Sequence, residues 1–154
     1  MAGRLDGPVA DDLKAAGVED ADLMARNASR AVTYKVYNDI LVKNGYKAEI
    51  LTASLRGPWN FDASCTKNPA SRILLSAFPD KWAEYDAEKR DITPLADVPV
   101  SQEVIHVLEK SDVFNKAYYV EKLPVDDFDT YKPVDVTLSG FIDVYNDELK
   151  PYLS

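Results

Sequence analysis

The spacing of apolar positions along the 154 residues divides the chain into helical and extended pieces. The most regular stretch is the last one. Val134, Leu138, Phe141, Tyr145, Leu149 and Tyr152 step by 4, 3, 4, 4 and 3 residues. Such spacing keeps one helix face apolar, and it predicts a helix from about Pro133 to Lys150 that Pro151 ends. A second stripe, Met24, Ala28, Val32, Val36 and Ile40, recurs every fourth residue between an N-cap at Asp20 and a stop at Asn44-Gly45. Shorter helices are predicted from Pro8 to Ala16, closed by Gly17, and from Pro79 onward, carrying Trp82, Ala83 and Tyr85. Another runs from a Ser101 cap to about Glu109, with Val104, Val107 and Leu108 inward.

Two short runs read as strands. Lys47–Ser54 lies between Gly45 and Gly57-Pro58, and its centre, Ile50-Leu51-Thr52-Ala53, does not alternate. That pattern predicts burial on both faces, as in a parallel sheet. Arg72–Ala77 is the second run, after an irregular stretch with Pro58, Asn60 and Pro69. Thr93–Pro99 is a loop, and Asn115–Val125 is aromatic without a clear period. Helix, strand, loop, strand, helix is the rhythm of an α/β domain. No repeat or low-complexity segment interrupts it.

A composition of 46% hydrophobic and 29% charged residues is that of one globular domain. The net charge of −8 argues against nucleic acid and against an anionic membrane as partners. A local pair of arginines can still bind a small anion. The single cysteine, Cys65, cannot form an internal disulfide and fits a reducing compartment. No apolar leader follows Met1 and no run reaches the length of a membrane span, so the expected location is cytoplasmic.

Most of the chemistry-bearing residues have ordinary explanations. His106 has no partner with zinc-ligand spacing, so it reads as structural, and no metal site is expected. Lys67 stands near Cys65 and can lower its pKa, but an inert cysteine is the commoner case. Asp126, Asp127 and Asp129 lack the glycine and terminal glutamate of a calcium loop and read as a solvated turn. One segment stands apart. Thr52-Ala53-Ser54-Leu55-Arg56-Gly57-Pro58 sets a hydroxyl and a guanidinium two residues apart at a strand's carboxyl end. On a strand these two share a face and can hold a phosphate together. Ligands of parallel α/β proteins bind at such strand ends.

Ile50-Leu51-Thr52-Ala53-Ser54-Leu55-Arg56 resembles the Ala-Ser-Phe-Arg motif that ends the seventh barrel strand of the transaldolases. The surrounding order is similar too. Met24–Ala31 with the helix to Asn44-Gly45-Tyr46-Lys47 resembles the family's preceding helix. Gly3-Arg4-Leu5-Asp6 resembles the Gly-Arg after the sixth strand. Arg72–Pro79 resembles the eighth strand and its turn, and Val125–Leu149 the closing helices. The resemblance spans nearly the whole chain but only roughly the last third of a transaldolase. Leu55 replaces the usual aromatic residue, and Gly57-Pro58-Trp59-Asn60 alters the following loop.

The resemblance implies one incomplete α/β domain over residues 1–154, part of a (β/α)₈ barrel with about two parallel strands, flanking helices and a helical C-terminus. A whole barrel needs roughly 250 residues, which this chain does not have. It implies that Arg4, Ser54 and Arg56 bind the phosphate of a sugar phosphate, with no cofactor. Transaldolases of the pentose phosphate pathway transfer dihydroxyacetone units through a Schiff base on a fourth-strand lysine. Nothing matched here supplies that lysine, so no catalytic residue is assigned and no transfer is expected from the chain alone. The alternative is a non-catalytic sugar-phosphate-binding or interaction module. So few elements leave apolar surface exposed, which a homo-oligomer or a complementing chain would cover.

Overall fold

A computed structural model of the chain describes residues 2–153. It is α/β and mostly helical, with one small parallel sheet. Helix α1 spans Ala2–Ala15. It starts well before Pro8, the expected first position, and carries that proline inside. A proline there removes one donor and crowds the preceding turn. The turn persists because tertiary contacts hold it: Leu5 and Asp6 are buried. The connection to α2 uses two left-handed residues, Gly17 at φ 69° and Asp20 at φ 52°. Asp20 therefore closes the loop through its backbone and makes no side-chain cap.

Helix α2 spans Ala21–Tyr34 and continues as a π-helical segment through Lys35–Val42. Its buried face is Ala21, Ala25, Ala28 and Ala31, small side chains that let α1 approach closely. A strict fourfold repeat drifts by about 40° per step on an α-helix. The wider turns, closed by Lys43 N–H to Asn38 O and Tyr46 N–H to Leu41 O, shift the register further. Tyr37 is then the fully covered residue, and Val36 and Ile40 are only half-buried. The Tyr37 hydroxyl accepts the backbone N–H of Arg72 at 3.3 Å, which fixes the entry to the second strand.

Strands β1 (Ile50–Thr52) and β2 (Ile73–Leu75) pair in parallel, with Leu51 opposite Leu74. Both are shorter than expected, and the expected burial of both faces is corrected. Leu51 is 60% and Leu74 52% exposed, on the same side. The apolar run is there, but no layer of the described residues covers that side. Between the strands lies α3, Pro58–Ser64, where the sequence suggested only irregular chain. Pro58 at its first position suits a helix start, and Asn60 Oδ1 accepts the Arg56 N–H at 2.8 Å.

Helix α4 (Pro79–Ala87) follows β2 as expected. Helices α5 (Gln102–Leu108) and α6 (Asp112–Tyr118) both start at serine caps, Ser101 and Ser111. Leu108 and Ile105 are buried in the core, and Val104 and Val107 pack against it half-buried. The Ser111 hydroxyl accepts from Phe114 N–H and donates to Asp12 on α1 at 2.7 Å, tying α6 to α1. Leu5, Val9, Leu13, the α2 alanines, Ile105, Leu108, Val113 and Phe114 form the main core. Leu55, Phe61 and Tyr85 form a smaller one under the sheet, with Trp82 edge-on to Phe61.

Helix α7 spans Lys132–Val144, followed by a π-helical segment, Tyr145–Leu149, and a 3₁₀ turn to Tyr152. Only its first turns dock, through buried Pro133 and Thr137. The regular stripe beyond them, Leu138, Phe141, Tyr145, Leu149 and Tyr152, is exposed. No helix among the described residues is long and apolar enough to cross a membrane.

Candidate anion-binding site

An open cleft of about 520 Å³ lies where the start of α1 meets the loop leaving β1. Its wall includes Arg4 from α1, Arg26 from α2 and Arg56 from that loop, with Trp59 from α3 and Thr137 from α7. The fold brings α1 and the loop unusually close. A Cβ on Gly3 would sit 2.1 Å from the Ser54 carbonyl oxygen and 2.6 Å from Arg56 Cγ. Only a residue without a side chain permits that approach. The next residue, Arg4, and Arg56 both line the cleft.

Two of the three phosphate-binding residues expected from the sequence are thus together. Ser54 is not among the lining residues. Face-sharing by alternate residues requires a strand, and β1 ends at Thr52. Ser54 adopts a left-handed conformation at φ 59°, which breaks the alternation before Arg56 is reached. Its contribution to the cleft is the carbonyl packed on Gly3.

Among the described residues, none of the three guanidinium groups in the wall makes a hydrogen bond or ion pair to another side chain or to the backbone. Arg4 Nε is buried without a partner. Of the three arginines outside the cleft, Arg90 grips Asp62 at 2.7 Å and Arg30 donates to Val98 O at 3.1 Å, whereas Arg72, among the described residues, bonds only through its backbone. Acidic residues outnumber basic ones 26 to 18, so carboxylates are not scarce. The two carboxylates in the wall are committed elsewhere. Asp22 is exposed and paired with Lys14 at 2.7 Å. Asp6 is buried and accepts from Trp59 Nε1 at 3.1 Å, from Ser29 N–H at 3.1 Å and from Asn60 Nδ2 at 3.4 Å. Burial pushes the Asp6 carboxyl above the ordinary range, with these donors acting in the opposite direction.

Arg26 and Trp59 had no part in the sequence-based site. The Arg26 guanidinium lies 4.3 Å from the centre of the Trp59 ring. The ring folds back over Gly57, where a Cβ would meet it at 2.0 Å. The Gly57-Pro58-Trp59 sequence carried a signal for this shelf. Its link to Asp6 spans 53 residues and leaves no local trace.

The remaining candidates lie elsewhere. His106 is exposed near Glu109. Burial first, and then the Asp62 charge, raise the Cys65 thiol above its ordinary range, the reverse of what activation by Lys67 would do. Asp126 and Asp127 sit in an exposed 3₁₀ turn. Among the described residues no three His, Cys, Asp or Glu side chains group as metal ligands. No lysine lines the cleft or lies in either strand. Comparison with models of protein families, with curated proteins and with solved structures finds no match to this chain.

Proposed function

We propose that this chain is a transaldolase-like protein of cytoplasmic sugar-phosphate metabolism that binds the phosphate of its ligand and does not itself form the Schiff base. The observation that carries the reading is the set of arginines without protein partners in one cleft at the end of β1. A phosphate supplies the acceptors that Arg4 and Arg56 lack within the protein. The parallel strand pair with helices on either side of it in sequence is compatible with the closing part of a (β/α)₈ barrel. Schiff-base transfer needs a lysine amine in contact with the sugar, and the cleft wall offers none.

Calorimetric titration with fructose 6-phosphate, followed by borohydride and intact-mass measurement, tests both halves. Reversible binding is expected, with no covalent adduct. Arg56→Ala, at an exposed position, should weaken binding roughly 10- to 100-fold without loss of fold. Equal binding by the two proteins removes Arg56 from the site, and a lysine adduct shows that the reacting group is present after all.

A second reading, an interaction module, is favoured by the exposed apolar stripe of α7 and by Leu51 and Leu74 on the open sheet face. Contiguous apolar surface of this kind marks an interface. Under it the chain buries these residues against another copy or a complementing chain. Light scattering across a concentration series should then show masses above 17.2 kDa. A monomer throughout, with no tendency to associate, argues against self-association.

A further inference from the structure

We infer that Arg26, seated on Trp59, is a second anion arm of the cleft, so that the site takes a sugar carrying two anionic groups, such as a bisphosphate. The inference rests on the phosphate-binding reading of the same cleft and extends it to the class of ligand.

Three observations carry it. The first is charge. Arg4 and Arg56 are brought together by the close approach at Gly3, whereas Arg26 arrives from a different helix. A phosphate of about two negative charges is matched by two guanidiniums, which leaves a third cation for a second group. Neither carboxylate in the wall neutralises it: Asp22 is paired with Lys14, and Asp6 is enclosed by the donors from Ser29, Trp59 and Asn60.

The second is construction. An exposed arginine normally samples many rotamers, and ordering it costs affinity. Here Arg26 has a shelf at 4.3 Å, and the shelf is itself fixed. Trp59 donates its indole N–H to buried Asp6 at 3.1 Å, and its ring occupies the space that a side chain at Gly57 would take. Asn60, the next residue, donates to the same carboxylate and accepts from Arg56 N–H at 2.8 Å. Asp6 thus positions the support of Arg26 and, through Asn60, the backbone of Arg56 by a single oxygen, Oδ2. The third is room. A cleft of about 520 Å³ lies within the range of whole small-molecule sites, beyond what one phosphate fills.

The test compares inorganic phosphate, fructose 6-phosphate and fructose 1,6-bisphosphate by calorimetry on the full chain. The bisphosphate is expected to bind about tenfold more tightly than the monophosphate. Arg26→Ala should collapse that preference to about onefold. Gly57→Ala should do the same without touching Arg26, because its methyl displaces the Trp59 ring. Equal affinity of the wild type for mono- and bisphosphate overturns the inference and leaves the phosphate-binding reading standing. So does an equal loss of both ligands in Arg26→Ala, which would make Arg26 part of a single-phosphate site. A wild type that binds none of the three probes overturns the phosphate-binding reading itself, and this inference with it.

Discussion

Asp6→Ala is expected to lower the stability of the chain by roughly 2–4 kcal/mol, the cost of stranding buried donors that served a carboxylate. Ser29 N–H, the Trp59 indole and the Asn60 amide all end on this one side chain. They come from α2 and α3, so the loss loosens the packing of both against α1. Sugar-phosphate affinity should fall as well, since Asn60 also receives the Arg56 N–H. Urea denaturation at about pH 7 gives the stability change, and an effect below about 0.5 kcal/mol would show that solvent replaces the lost acceptor.

Asp6→Asn separates burial from hydrogen bonding. In the folded chain the Asp6 carboxyl is held above its ordinary value of 3.8, with burial as the largest cause. The folded state therefore binds its proton more tightly than the unfolded state. The contribution is fully present below pH 3.8 and is lost as pH rises through the folded pKa. An asparagine has no proton to lose. Measured side by side, Asp6→Asn should gain on the wild type as pH rises through that window. If the wild type gains instead, the three donors outweigh desolvation and the direction assigned to Asp6 is wrong.

What the sequence disclosed was local. The serine cap at Ser101 and the proline opening α4 act over a single turn, and a single turn is what such residues specify. Apolar spacing also located α2 and α7. It did not tell which apolar face would be covered. Leu51 and Leu74 look like buried-strand residues and Phe141 like a core residue, yet all three face outward. Coverage depends on elements elsewhere, and a periodic pattern records only that a face is apolar. The same limit applies to the cleft. Arg56 was legible because it stood at a strand end beside Ser54. Arg26 was not, because its role comes from Trp59, and Trp59 is held by a carboxylate on α1. Ser54 lies outside the cleft lining, and its left-handed backbone after a short strand breaks the alternation that the sequence pattern assumes.

Gly3→Ala should have the largest effect per atom added. The new methyl would meet the Ser54 carbonyl oxygen at 2.1 Å, the Arg56 N at 3.1 Å and Arg56 Cγ at 2.6 Å. Two of these are backbone atoms, and the loop between β1 and α3 is pinned by Asn60, so nothing nearby can yield by a simple rotation. Relief requires α1 to move away from the loop, which opposes the packing of Leu5 against α2. Overpacking of this kind costs about 1–3 kcal/mol. The functional cost is greater under the proposed reading, because the movement separates Arg4 from Arg56 and breaks up the proposed anion site. Sugar-phosphate binding should be undetectable while circular dichroism still reports a helical fold. Gly140→Ala is the matching control. Nothing lies within 4 Å of a Cβ at that exposed α7 position, and alanine is the better helix former. That variant should gain about 0.5–1 kcal/mol with binding unchanged. The same substitution then carries opposite signs at two helical glycines, one lodged against a backbone and one facing solvent. If Gly3→Ala keeps both stability and binding, α1 and the loop do not meet as described, and Arg4 and Arg56 do not form one site.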